Sequence, residues 1–413
     1  MKIEIITVGN ELLSGKTINL NATYLSKTLL KAQYETSYVS VYPDDKKELQ
    51  KGIKLSLDRA NVIIITGGLG PTLDDNTKEI VSDLLKIPLK YRKDIALDIE
   101  KRFGCIASIE EQATVFQTGY IFKNEVGTAP GFAFIYSGKA IILLPGVPSE
   151  LKDMFEKHAL LFIQKHFPPL EKVYQEIVNI CLLPELKIDA SIKALQVDED
   201  IKIGIYPAHG FVQVTISAKS KDQTVLKKIN HIKNQIAADF QDYIYKAEDG
   251  KIECAIHDIL INRDEKIAFA ESCTGGVLSS KITALGGSSK YFLGSFITYS
   301  NDLKKSVLNV SETTLKEKGA VSIQAIKEMI EGVFKLTDAT YAIAISGIAG
   351  PGGATLEKPV GTICLAIAKR GDDIDAGILH LNGSRSTIIE WTANIALGSL
   401  FRKIAHNLTY FDK

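Results

Sequence analysis

Two periodicities alternate along the first 167 residues. Polar and apolar positions trade places over residues 1–7, and Ile3–Val8 reads as a first strand. Leu20–Lys31 switches to a helical spacing with one apolar face. Residues 34–42 return to a strand pattern and 46–58 to a helical one. Residues 61–66 form a third predicted strand, whose Val62-Ile63-Ile64-Ile65 run is apolar throughout. Strands without a polar face, separated by helices, belong in a parallel sheet covered on both sides. Gly131–Tyr136 and Lys139–Leu144, joined by Ser137-Gly138, form a predicted hairpin.

Pro168-Pro169 interrupts the pattern and marks a first boundary. Residues 168–250 read as a small α+β module. Its strands fall at 173–182, 201–206 and 212–218, its helices at 184–195 and 223–240, and Glu248-Asp249-Gly250 turns out of it. Residues 251–413 alternate again: a helix, a strand at 266–270, a helix after Gly275 and a strand at 291–298. Two helices between 311 and 336 follow, then strands at 341–346, 360–368 and 376–380 and a terminal helix. The expected class is α/β. A doubly wound, mostly parallel N-terminal sheet (1–167) is followed by the α+β module (168–250) and a C-terminal α/β domain (251–413).

Charge removes some functions. Lys plus Arg equals Asp plus Glu at 49 each, so no global field draws nucleic acid or an anionic membrane. Apolar runs such as Ala140-Ile141-Ile142-Leu143-Leu144 are short, and no signal-peptide core opens the chain. A soluble cytosolic protein is expected. Cys105, Cys181, Cys254, Cys273 and Cys364 are scattered and form no C-x-x-C pair, which points to neither a disulfide framework nor a zinc site.

Three glycine loops end strands in the first section: Gly9 to Gly15, Thr66-Gly67-Gly68-Leu69-Gly70-Pro71-Thr72, and Leu144-Pro145-Gly146-Val147-Pro148-Ser149-Glu150. Ligands of open parallel sheets bind beyond the strand carboxyl ends, where glycine lets backbone approach a phosphate. The spacing is neither Walker A nor the Rossmann fingerprint. Asp44, Asp74 and Asp75 supply hard oxygen donors for a divalent cation, or else cap helices.

In the third section Ala270-Glu271-Ser272-Cys273-Thr274-Gly275-Gly276 turns from a strand into a helix. Unpaired N–H groups at such a turn suit an oxyanion. Ser272 and Cys273 are both candidate nucleophiles. His257, His380 and His406 sit in no motif-like loop, so no Ser-His-Asp order can be read. Asp258 and Glu271 are possible helpers. Lys304, close to Tyr299 and just past a strand end, is the alternative base if buried; a solvated lysine is the bland alternative. Ser346-Gly347-Ile348-Ala349-Gly350-Pro351 forms a further strand-end loop suited to a phosphate or ribose.

These blocks carry a family resemblance. Gly67-Gly68-Leu69-Gly70-Pro71 with Asp75, Thr77 and Pro43-Asp44 resembles the molybdopterin-binding fold of the MoaB/MogA type, which usually has Thr where Leu69 stands. The Asn19 loop and residues 144–150 are similar to the N-terminal domain of the CinA family. That resemblance implies an ADP-ribose pyrophosphatase using a divalent metal. Asp44 and Asp75 would handle metal or phosphate, and Glu11, Asn19, Gly67, Gly68, Gly70 and Thr72 would lie near the nucleotide. Ala270 to Gly276, Gly286-Gly287-Ser288-Ser289, Thr298-Tyr299-Ser300-Asn301, Gly319-Ala320-Val321-Ser322 and Ser346 to Pro351 resemble the CinA C-terminal domain. The family is similar to nicotinamide mononucleotide deamidase, which implies a cofactor-free amidase. Ser272 would be its nucleophile, Lys304 the base and Tyr299 an assisting hydroxyl. Cys273, Thr274, Gly275, Gly276, Gly347 and Gly350 would surround oxyanion and substrate. The middle module resembles the family's KH-like domain but lacks a GXXG loop; Pro207-Ala208-His209-Gly210 comes nearest, so RNA is not an expected partner. The family implies a homodimer. A non-catalytic molybdopterin- or nucleotide-binding scaffold tied to competence is the alternative reading.

Overall fold

The computed structural model describes residues 1–72, 75–104, 106, 108–247 and 249–412; Asp74, Cys105 and Glu248 lie outside them. The chain divides into two compact units, residues 1–173 with 219–221 and residues 174–218 with 222–413.

The first unit is built on six strands: β1 Ile3–Val8, β2 Thr36–Tyr42, β3 Val62–Thr66, β4 Tyr120–Phe122, β5 Gly131–Tyr136 and β6 Lys139–Leu144. Their order is β2-β1-β3-β6-β5-β4. The first four in that order run parallel, and β5 and β4 are antiparallel additions. The apolar runs divide by parity. Ile3, Ile5, Val62 and Ile64 pack with Leu25 and Leu29 of helix α1 (Leu20–Lys31) on one face. Ile6, Val8, Ile63 and Ile65 pack with Leu49 and Ile53 of α2 (Lys46–Arg59) on the other. A sheet covered twice needs strands apolar on both sides, which is why this core was readable. Residues 89–116 were not: Leu89–Tyr91 pairs antiparallel with Thr114–Phe116 around a helix at Lys93–Phe103. Three-residue strands are too short to show a period.

A second, smaller sheet has the order β8-β9-β7-β10, with β7 Lys172–Cys181, β8 Lys202–Ala208, β9 Phe211–Ser220 and β10 Ile244–Tyr245. Ile188, Ile229, Ile232 and Ile236, from helices Glu185–Lys193 and Thr224–Phe240, share its core. The second unit also contains a five-stranded sheet: β11 Ile267–Glu271, β12 Phe292–Ile297, β13 Tyr341–Gly347, β14 Thr362–Lys369 and β15 Asp375–His380. The order is β12-β11-β13-β14-β15, with the first three parallel. Its two faces differ in bulk. Ile267, Phe269, Ile343, Ile345 and Leu365 face one cluster. Ala268, Ala270, Ala342, Ala344 and Ala366 face the other, where Ile326, Met329 and Ile330 of the helix Ile323–Leu336 fill the space. Among the described residues no helix is long and apolar enough to cross a membrane.

One charged residue interrupts β1. Glu4 is fully buried, and its carboxylate accepts from Arg59 Nε at 2.9 Å and Nη2 at 2.5 Å and from Ser40 Oγ at 2.8 Å. Burial pushes this carboxyl up, but the bonds from Arg59, Ser40 and Ser56 outweigh it and hold it below its ordinary value. A depressed native pKa adds stability at neutral pH that is lost as pH falls through that pKa. Arg59→Met is therefore expected to destabilise the chain by about 3 kcal/mol at pH 7 by stranding the carboxylate. Urea melts near pH 7 and near pH 4 check this, since the deficit shrinks once Glu4 is protonated; an equal deficit at both would contradict it.

Candidate active site

The parallel strands β12, β11 and β13 end on one edge of their sheet, and the turn 272–276 leaves β11 there. Ser272 is 8% exposed and Lys304 only 1%. Lys304 Nζ lies 3.1 Å from Ser272 Oγ and donates to the Thr298 carbonyl at 2.7 Å. The lysine rides on the first turn of helix Asn301–Leu308, which starts where the Ser300 hydroxyl accepts from Leu303 N at 3.1 Å. The sequence offered a helix start at Lys304 only as the setting of a solvated lysine, whereas the helix carries a buried one. Burial pushes the Lys304 amine below its ordinary value. A neutral Lys304 donates to Thr298 O and accepts the Ser272 proton, the bond a general base requires.

Cys273, the rival nucleophile, is placed otherwise. It belongs to the apolar cluster with Ile363 and Ile345, and burial pushes its thiol up to about 12. A thiol so rarely ionised is a poor nucleophile. Its sulfur presses toward Gly347, where an added Cβ would lie 3.1 Å from Sγ.

The turn's amides are partly committed. Gly275 N donates to Ser272 O at 3.1 Å and Gly276 N to Glu271 Oε2 at 2.9 Å, which withdraws two of the four expected oxyanion donors. Among the described bonds, the backbone N–H groups of Cys273 and Thr274 have no acceptor in another residue. The buried Thr274 hydroxyl also has no partner there.

Tyr299 is exposed, and its hydroxyl accepts from Arg385 Nη2 at 2.8 Å. Arg385 Nη1 donates to Gly350 O at 2.7 Å, so one guanidinium ties two expected site residues together at the rim. Arg385 opens helix Arg385–His406 behind its Ser384 cap. It escaped notice because it stands 86 residues from Tyr299, and Gly383-Ser384-Arg385 is an unremarkable helix start. Among the described residues the three histidines of the C-terminal section do not take the base's place: His257 bonds Tyr291 OH at 3.1 Å, His406 lies 4.0 Å from Asp242, and His380 is exposed on β15. Asp258 is exposed on the helix Ile252–Arg263.

In the first unit, two cavities open at the carboxyl ends of β1, β3 and β6. One of about 180 Å³ is lined by Gly68, Gly70, Thr72, Asp75, Lys78 and Glu111. The other, about 150 Å³, is lined by Thr7, Glu11, Asn19, Thr66, Gly146 and Pro148. Gly67, at φ +105°, stands beside Gly146, whose added Cβ would lie 3.3 Å from the Gly67 Cα. Asn19 caps α1 by accepting from Ala22 N at 3.1 Å and donates to Thr7 Oγ1 at 3.0 Å. Lys78, not singled out from the sequence, is buried and donates to Glu111 O at 2.7 Å; burial pushes its amine down.

Asp44 and Asp75 serve separate loops. Asp44 Oδ2 accepts from Asn10 N at 2.9 Å, and Asp75 Oδ2 accepts from Thr72 N at 3.2 Å and Thr72 Oγ1 at 2.5 Å. Among the described residues no three His, Cys, Asp or Glu are gathered to hold a metal. Among the described residues Asp44 and Asp75 thus do not share a donor set that fits one resident metal ion.

Residues 249–404 match the model of the CinA C-terminal domain, and residues 4–165 match that of the "Probable molybdopterin binding domain". A competence-damage inducible protein of Caldicellulosiruptor saccharolyticus is 36% identical over 411 residues, covering 98% of this chain and 99% of that protein. CinA-like proteins of Thermosipho melanesiensis (37% identical) and Thermotoga maritima (36%) each align over 89% of this chain and 90% of their own length. With both domain models matched in order and relatives aligned almost end to end, the chain belongs to the CinA family.

Proposed function

We propose that the C-terminal domain is an amidohydrolase that converts nicotinamide mononucleotide and water to nicotinic acid mononucleotide and ammonia. The buried Lys304 amine 3.1 Å from Ser272 Oγ carries this reading. Neutral Lys304 takes the Ser272 proton as Oγ bonds to the carboxamide carbon. The carbonyl oxygen gains the charge and meets the amides of Cys273 and Thr274. The Lys304 ammonium then returns its proton to the departing nitrogen, ammonia leaves, and an ester on Ser272 remains. Lys304 next deprotonates a water, which attacks that ester and frees the acid and the serine. Arg385 at the rim offers a planar cation of the kind a phosphomonoester binds. The carboxamide substrate itself rests on the family resemblance.

Ammonia release is expected to fall at least about a thousandfold in Ser272→Ala and Lys304→Ala, while Cys273→Ala keeps most of it. Retained turnover in Ser272→Ala with loss in Cys273→Ala would reverse the nucleophile assignment. The free base is the active form, so kcat/KM rises with pH through the lowered Lys304 pKa. It levels off below the ordinary lysine range. Lys304→Arg, whose guanidinium stays protonated, loses activity at every pH. A profile still climbing near pH 10.5 in the parent would refute a depressed base.

For the N-terminal domain we propose a second activity, hydrolysis of ADP-ribose to AMP and ribose 5-phosphate, which rests on the family resemblance; the two cavities beside Gly67 and Gly146 offer the nucleotide a place. A divalent cation would arrive with the diphosphate as part of the substrate complex, which asks only one or two carboxylates of the protein. Asp75, on the cavity wall, is the carboxylate offered. Folded Asp75→Ala is expected to lose at least about tenfold in AMP formation; parent-like rates would remove Asp75 from the site. Tight nucleotide binding with no turnover in either domain would instead support a scaffold.

A further inference from the structure

Glu271 ends β11 and is fully buried, yet no basic side chain is among its described hydrogen-bond partners. Oε2 accepts from the backbone N–H of Gly276 at 2.9 Å and of Leu278 at 3.3 Å. Oε1 accepts from Ser279 N at 3.0 Å, from the Ser279 hydroxyl, and from Ser295 Oγ at 3.2 Å. Burying a carboxylate without a counter-ion is costly unless its lone pairs are filled. Here the start of helix Val277–Thr283 fills them, and its first amides lose their orphan status in return.

These bonds have three consequences at the site. The side chain reaches from residue 271 to 276–279 and closes the turn that carries Ser272. It withdraws Gly276, Leu278 and Ser279 as donors, while Gly275 N goes to Ser272 O and Val277 N to Thr274 O. That leaves the amides of Cys273 and Thr274 to face a ligand. On the side of the base the carboxylate holds Ser295, and the link to Thr298 is made by the Glu271 main chain. Ser295 lies on β12, and the Glu271 carbonyl accepts from Thr298 N at 2.9 Å. Thr298 is the residue whose own carbonyl holds Lys304 Nζ.

We propose that Glu271 is a positioning residue for the amidase reaction. Its carboxylate sets the Ser272–Lys304 contact and reserves the Cys273 and Thr274 amides for the oxyanion. It touches no reacting atom, and its role rests on the Ser–Lys reading above. A carboxylate is required because all five partners donate to it. In Glu271→Gln one end becomes an NH2 group that faces donors, either at Gly276 and Leu278 or at Ser279 and Ser295.

The test compares the full-length parent, Glu271→Gln and the milder Ser295→Ala, which keeps every bond but one. Three readouts are taken: kcat and KM for nicotinamide mononucleotide, the rate of Ser272 labelling by a fluorophosphonate followed by intact mass, and thermal melting. Glu271→Gln is expected to lose about 10–100-fold in kcat with KM within about twofold, and labelling slows in parallel. Ser295→Ala loses about 3–10-fold in the same pattern. A folded Glu271→Gln with parent-like kcat and labelling overturns the proposal, as does a loss confined to KM. If Glu271→Gln does not fold, Ser295→Ala decides, and a parent-like kcat there overturns it. A parent labelled at Ser272 that releases no ammonia sinks the substrate reading alone, and the labelling rates still judge Glu271. A parent not labelled at Ser272 overturns both.

Discussion

An amine kept from water beside a hydroxyl is the constraint around which the C-terminal domain is arranged. An ammonium buried as Lys304 is loses its hydration, and that loss is what makes the free base accessible. The fold supports the amine with one carbonyl, that of Thr298, and no carboxylate is among its described bonds. A carboxylate partner would favour the ammonium and spoil the base. The negative charge nearest in sequence to the nucleophile, Glu271, is turned away onto a helix start. Position and charge are thereby separated: the carboxylate braces the turn, and the amine beside Ser272 has no carboxylate among its described bonds.

Both candidate sites obey the same topological rule, since each lies where parallel strands end. They use it differently. In the second unit, one buried amine meets one hydroxyl. In the first, backbone at Gly67 and Gly146 forms the ground between two cavities, and carboxylates brace loops. A site of the first kind suits a single bond-breaking centre. One of the second kind suits an elongated ligand draped over backbone.

The sheets were legible because burial on two faces leaves a plain mark. The parity of Val62 to Ile65, or of Ile267 to Ala270, is a local property of the chain. Ser272 was legible because a strand, a small polar residue and two glycines stand in a row. The residues alone leave Lys304 either a base or a solvated helix-start lysine, and only the family resemblance favours the base, because its burial depends on a short helix and on the Thr298 carbonyl. Arg385 and Ser295 were invisible for the same reason, since their partners are distant in the chain. Asp44 and Asp75 were legible only as oxygen donors. Residue type leaves cation binding and capping both open, and in the fold each carboxylate accepts from a backbone amide, Asp44 from Asn10 and Asp75 from Thr72.

The apolar seat of Cys273 reaches beyond the choice of nucleophile. Peroxide and disulfides react with thiolate, and a thiol pushed up to about 12 presents almost none at cellular pH. A sulfur adjacent to the reactive serine is therefore chemically silent. The fold keeps a small, dense atom against Gly347 without placing an oxidation switch at that position. The sulfur beside Ser272 is thereby shielded from the redox state of its surroundings.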